Sequence, residues 1–227
     1  MRVLAIDTAL DACAAAVLDT GRGGIIAHET LALTRGHAEA LMPLVARVMD
    51  AASIAFAGLD RLAVTTGPGS FTGLRVGISA CRAIALATGK PAIGLSTLAG
   101  FAAPLIAEDD GTHVVAAIDA RHDHVYFQIF GTGGRTLVAP RIATLRDATR
   151  AAIAGPTRIV GSAANLLAEA WPKGADPPLL VETRGAPDVG WVARLGAAAS
   201  DGFGPPKPLY LRAPDAQPQD AARLPRR

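Results

Sequence analysis

The tripeptide Ala-Ile-Asp occurs at residues 5–7 and again at 117–119, and each copy is followed four residues later by another aspartate. Asp7 therefore matches Asp119 and Asp11 matches Asp123 at one constant offset. Each copy also sits at the end of the first strand of a similar run of elements, so the pattern points to a duplicated lobe. In the first half, VLAI (3–6), CAAAVL (13–18) and the stretch around IIAHETLAL read as three strands, with Gly21, Gly23 and Gly24 marking a turn. GHAEALMPLVARVMDAA follows with Leu41, Leu44, Val45 and Val48 at helical spacing, and Pro43 in its second turn. RLAVTT (61–66) is a buried strand. SFTGLRVGISACRAIALATG is a helix closed by Gly89, PAIGL (91–95) is a short strand, and Ser96 or Thr97 caps a helix to about Ala107. The predicted order is βββαβαβα.

EDDGT (108–112) is a polar turn and the natural boundary. Beyond it, HVVAAIDA, HVYFQIF and GRTLVA predict three strands, followed by a helix around 143–153, the strand TRIVG and a helix from Ser162 to about Ala170. PLLVE and a helix from about Val189 to Ser200 complete the second half. The expected domains are 1–108, 109–212 and a flexible tail over 213–227. Half of the residues are hydrophobic and only 4% aromatic, so Ala, Val, Leu and Ile must supply the packing of a layered α/β protein.

Several functional classes are disfavoured. No apolar run approaches the ~20 residues of a membrane-spanning helix. Asp7 and Asp11 interrupt the start, which does not read as a signal peptide, so a cytoplasmic location is expected. Cys13 and Cys81 lack metal or redox spacing and read as small apolar residues. A net charge of +2, with Arg223, Arg226 and Arg227 in the tail, is not the basic stripe of a dedicated nucleic-acid binder.

The sharpest local feature is TTGPGSFTGLRVG (65–77), between a strand and a helix. A phosphate loop needs Lys and a hydroxyl after its last glycine, but Gly73 is followed by Leu74 and Arg75. The spacing Gly67, Gly69, Gly73 is also not that of a dinucleotide loop. The remaining reading is structural: Gly67, Pro68 and Gly69 make a strained turn, Ser70 or Thr72 caps the helix, and Gly73 and Gly77 permit close packing.

This loop also carries a resemblance. GPGSFTGLRVGIS followed by IGLSTLAGFA is similar to the signature of the TsaB (YeaZ) family. LAIDTALDACAAAVLD, GHAEALMPLV, AAIDARHDHVYF and PLYLRAPDAQPQ resemble that family's other blocks, in family order, over nearly the whole chain to about Gln219. The resemblance implies an ASKHA (actin-like, ribonuclease-H-like) α/β fold of two duplicated lobes with mixed sheets. It also implies a non-catalytic paralogue of the catalytic subunit TsaD, which transfers a threonylcarbamoyl group to adenosine 37 of ANN-decoding tRNAs, with the ATPase TsaE as a further partner. ATP and metal are then expected on the partner subunits, tRNA only through the complex, no membrane contact, and a homodimer when the chain is alone. The alternative is a stand-alone metalloprotease-like or ATP-binding enzyme of the same fold.

The residues can be weighed beside that resemblance. TsaD-like proteins hold a metal through two His at i and i+4. Here His37 stands in the matching segment and Leu41 at i+4, so no metal site is expected. Asp7 and Asp119 match acidic residues that active ASKHA enzymes place near Mg²⁺-phosphate. Their neighbours are Thr8-Ala9 and Ala120-Arg121 rather than glycine, and strand-end aspartates bonded to turn amides are the simpler expectation. His122 and His124, on one strand face, lack an obvious third ligand. No catalytic, metal or cofactor residue is assigned. The family's pairing through its first lobe directs attention to second stripes on two helices: Met42 and Met49 on 37–52, with His37 near its start, and Arg75, Ser79, Arg82 and Leu86 on 71–88. For Met42 and Met49, filling gaps beneath a loop is the competing expectation.

Overall fold

The computed structural model describes residues 1–108, 110–200 and 204–212. The first sheet contains β1 (Arg2–Asp7), β2 (Ala12–Asp19), β3 (Gly24–Ala32), β4 (Arg61–Gly67) and β5 (Ala92–Ser96) in the spatial order β3-β2-β1-β4-β5. The second contains β6 (His113–Asp119), β7 (His124–Phe130), β8 (Thr136–Thr144), β9 (Thr157–Val160) and β10 (Leu180–Glu182) in the order β8-β7-β6-β9-β10. In each, the first three strands are an antiparallel meander, and the later two join parallel to the first. Asp7 ends β1 and Asp119 ends β6, so the repeated tripeptide marks the same place in two copies of one topology. Two such mixed sheets, each a ribonuclease-H-like lobe, make the ASKHA fold.

The helices are α1 (His37–Ala52), α2 (Phe71–Thr88), α3 (Thr97–Ala107), α4 (Leu145–Ala152), α5 (Ala164–Glu169) and α6 (Val189–Ala198). Side chains alternate across a strand. Leu4 and Ile6 thus pack with Leu41, Leu44, Val45 and Ile78 of α1 and α2, while Val3 and Ala5 pack with Val189, Val192 and Ala193 of α6. Both faces of β1 are covered, which is why its sequence is continuously apolar. In the second sheet, Val115 and Ala117 face Ala148, Ala152 and Leu167 of α4 and α5, while Val114, Ala116 and Ile118 face Leu98, Phe101 and Leu105 of α3.

The helices do not follow a division of the chain at residue 108. The last helix of each half packs on the sheet of the other: α3 on the second sheet, α6 on the first. They meet at Gly100, where an added β-carbon would lie 3.5 Å from Val192 of α6. Gly196 of α6 approaches β4 so closely that a β-carbon there would come within 2.4 Å of the Ala63 methyl. Two buried arginines bind the exchanged helices at their C-terminal ends, where carbonyls lack intrahelical partners. Arg61 donates to the carbonyls of Gly196 and Ala199 (2.8 and 2.6 Å). Arg158 donates to the Leu105 carbonyl (2.8 Å) and pairs with Glu108 and Asp110. Cys13 and Cys81 are free and buried, and burial pushes their thiols up to about 11 and about 12. Among the described residues no helix is long and apolar enough to cross a membrane. The expected tail over 213–227 lies outside the described residues.

Candidate functional site

Each sheet ends its first strand in an aspartate, Asp7 on β1 and Asp119 on β6. Asp7 is fully buried, and its Oδ1 accepts from the Thr65 hydroxyl at 2.5 Å and from the Ala9 amide at 3.2 Å. Its Oδ2 has no hydrogen-bond partner among the described residues. Burial pushes this carboxyl up to about 6, against the lowering effect of Thr65, Ala9 and the nearby His37. Asp119 is exposed and accepts from the Arg121 amide at 2.7 Å. Both aspartates thus bond the amide two residues on, the turn geometry that short acidic side chains favour.

The glycine-rich loop packs against the chain itself. A β-carbon on Gly69 would sit 2.4 Å from the Ala9 carbonyl oxygen, one on Gly73 2.1 Å from that of Thr8, and one on Gly77 2.3 Å from the Thr8 hydroxyl oxygen. Hydrogen bonds tie the same surfaces: the Ser70 amide donates to the Ala9 carbonyl (2.7 Å) and the Thr8 hydroxyl to the Gly73 carbonyl (2.7 Å). Ser70, rather than Thr72, is the helix cap, accepting from the Gly73 amide at 3.3 Å. Gly67 has φ +117° and its Cα faces the Leu209 carbonyl, while the peptide to Pro68 is cis. Gly67, Gly69 and Gly73 are therefore accounted for by backbone-to-backbone approach, and Gly77 by its contact with the Thr8 side chain.

The histidines separate. His37 begins α1 but is buried, its Nε2 2.9 Å from the Leu10 carbonyl oxygen, so it secures the helix start to the β1–β2 turn rather than facing outward. This corrects its placement on the partner face. Leu41 lies in the core. His122 and His124 do not share a strand face. Arg121, His122 and Asp123 all adopt left-handed φ (63°, 52°, 58°), and β7 starts only at His124, whose Nδ1 is 2.6 Å from the His122 carbonyl oxygen. Among the described residues no three or more His, Cys, Asp or Glu side chains group as metal ligands would.

The two helices divide differently from expectation. Met42 is 47% exposed, but Met49 is 3% exposed and packs in the first lobe's core, so it leaves the candidate face. Val45, Val48 and Met49 form one broad inward arc, which a helix lying on a curved sheet can bury. On α2, Arg75, Ser79 and Arg82 are exposed and Leu86 is 86% exposed. Leu86 and Arg82 border a groove of about 640 Å³ completed by Lys90, Pro91, Gly204 and Pro205. Phe71, absent from the sequence reasoning, heads the same stripe: it is 44% exposed, and the Arg75 guanidinium stacks on its ring at 3.8 Å. Its position just after the cap Ser70, one turn before Arg75, was the available signal. Tyr210 stacks on Phe71 at 5.3 Å between centroids, and only the block PLYLR hinted at it.

Residues 18–173 match the family described as TsaD, tRNA N6-adenosine threonylcarbamoyltransferase. The tRNA threonylcarbamoyladenosine biosynthesis protein TsaB of Escherichia coli K12 is 39% identical over 127 residues, 56% of this chain and 54% of that protein. The chain thus spans about half the length of that curated relative. An uncharacterized protein of Mycobacterium tuberculosis H37Rv is 33% identical over 219 residues, 95% of this chain and 94% of its own length. A crystal structure from Pseudomonas aeruginosa, described as similar to the peptidase YeaZ, superposes with TM-score 0.79 at 28% identity, covering 93% of this chain and 99% of that one. The chain belongs to the TsaD family, on its TsaB/YeaZ branch.

Proposed function

We propose that this chain is a non-catalytic accessory subunit for tRNA threonylcarbamoyladenosine formation, pairing with a catalytic TsaD subunit through the outer face of α2 and the exposed part of α1. The observation that carries the reading is the packing of Gly69, Gly73 and Gly77 onto Thr8 and Ala9. These glycines are taken up by close approach to the chain's own β1–β2 turn, next to the strand-end Asp7, rather than left open toward a ligand. With Leu41 in the core where a second metal-binding His would be needed, the chain's own residues offer contacts rather than chemistry. Met42, Arg75, Ser79, Arg82 and Leu86 form the contact surface, which in the absence of TsaD takes a second copy of the chain. TsaE joins the pair, ATP and metal are held by the partners, and tRNA is reached through the assembly.

Reconstitution tests this. The chain alone transfers no threonylcarbamoyl group from its adenylate to tRNA, and adding it to TsaD and TsaE raises transfer to adenosine 37 above the level without it. Transfer by TsaD and TsaE that is indifferent to the chain would overturn the reading. Stoichiometric metal in the purified chain, lost on changing His37 to Ala, or ATP hydrolysis by the chain alone, would favour a stand-alone enzyme.

A further inference from the structure

Residues 204–212 return to the first lobe and lie across the loop that precedes α2. The Leu209 amide donates to the Thr66 carbonyl at 2.7 Å. A β-carbon at Gly67 would fall 2.8 Å from the Leu209 carbonyl oxygen, and one at Gly94 would fall 3.3 Å from Pro206. Both glycines leave room for this segment, which lies against the end of β4 and the middle of β5. Its path delivers Tyr210 onto Phe71, with 29° between the ring planes. The Arg75 guanidinium lies over the same Phe71 ring, and its Nε donates to the Tyr210 hydroxyl at 3.3 Å. Two residues on, Arg212 Nη1 donates at 3.1 Å to the carbonyl of Ala120, just past β6 in the second sheet.

Phe71, Arg75, Ser79, Arg82 and Leu86 follow one another at helical steps of three or four, so the stack continues the stripe on α2 that was assigned to the partner. Aromatic residues and arginine are the types that dominate binding energy at interfaces. A long side chain such as Arg75 normally loses rotamer freedom on association. Held over the Phe71 ring and bonded to the Tyr210 hydroxyl, it has lost much of that freedom on folding. Phe71 to Thr88 contains arginines but no acid, so a carboxylate-bearing surface is its electrostatic complement.

We infer that Tyr210 is a positioning residue of the partner-binding face: it holds Phe71 and Arg75 as a preorganised anchor for a carboxylate-bearing surface of the catalytic subunit, and through Arg212 it ties that anchor to the second lobe. The inference rests on the proposed pairing with TsaD. The test measures binding and dissociation of the full chain and TsaD from one organism, with thermal melts to verify folding. Tyr210→Ala weakens binding about tenfold or more, mainly through faster dissociation. Tyr210→Phe, which keeps the ring and loses the hydroxyl, stays within about threefold of wild type, because the ring stack sets the geometry. Wild-type affinity in Tyr210→Ala, alongside lost binding in Arg75→Glu/Arg82→Glu, would overturn the inference and leave the proposed function standing. Equal weakening by Ala and Phe would refute the role given to stacking. No binding by the wild-type pair would overturn the proposed function and this inference together.

Discussion

Replacing Gly73 with Ala sets two effects of opposite sign against each other. Gly73 lies in the first turn of α2, and an alanine there gains about 0.8–1 kcal/mol of helix propensity. Its methyl, however, would sit 2.1 Å from the Thr8 carbonyl oxygen, more than 1 Å inside ordinary contact. The obstacle is backbone, so either α2 or the β1–β2 turn must move. Overpacking of this kind costs about 1–3 kcal/mol. The movement also breaks the bond from the Thr8 hydroxyl to the Gly73 carbonyl, worth about 1 kcal/mol. The net expectation is a loss of about 1–3 kcal/mol, readable as a lower urea midpoint at unchanged slope. A variant as stable as wild type or more stable would mean that propensity wins. The close approach of loop and turn would then be wrong, and with it the argument that these glycines serve packing.

Met49→Ala should cost about 2–5 kcal/mol in chemical denaturation, whereas Met42→Ala should stay within about 0.5 kcal/mol; similar losses would contradict the core placement of Met49. Asp7 is pushed up to about 6 from 3.8, so its ionisation favours the unfolded chain. The penalty is absent below the unfolded value, grows as pH rises, and is complete above about 6. Replacing Asp7 with Asn should therefore look more favourable at pH 7.5 than at pH 4.5, by on the order of 2 kcal/mol, and parallel stability-pH curves would refute this. Arg75→Glu with Arg82→Glu should abolish TsaD binding, each unpaired charge costing on the order of several kcal/mol of association, with little change in folding stability. Co-purification of this folded variant at wild-type affinity would place the interface elsewhere.

Local chemistry made much of the architecture readable. β1 and β4 are short apolar runs because they are covered on both faces; α1 announces itself by periodicity, and α2 by its Ser70 and Gly89 caps. Met49 was misplaced because helical phase gives the direction of a side chain but not the width of the surface beneath it. His37 was misplaced because its carbonyl partner, Leu10, is on a distant turn. The pairing of His122 with His124 failed because three consecutive non-glycine residues take left-handed φ, which composition does not announce.

Residue order alone is enough to read the duplicated order of strands, the strand-end position of Asp7 and Asp119, and the absence of the lysine and hydroxyl that a phosphate loop requires. These are properties of periodicity, spacing and residue type, and each is local. Long-range packing is what makes α3 and α6 exchange sheets, brings Gly69, Gly73 and Gly77 against Thr8 and Ala9, and carries Tyr210 to Phe71 across more than half of the chain. An apolar helix face has no preference between two apolar sheets. Which one it covers is set by how the connections run and by groups such as Arg61 and Arg158, whose carbonyl partners exist only once the lobes are packed.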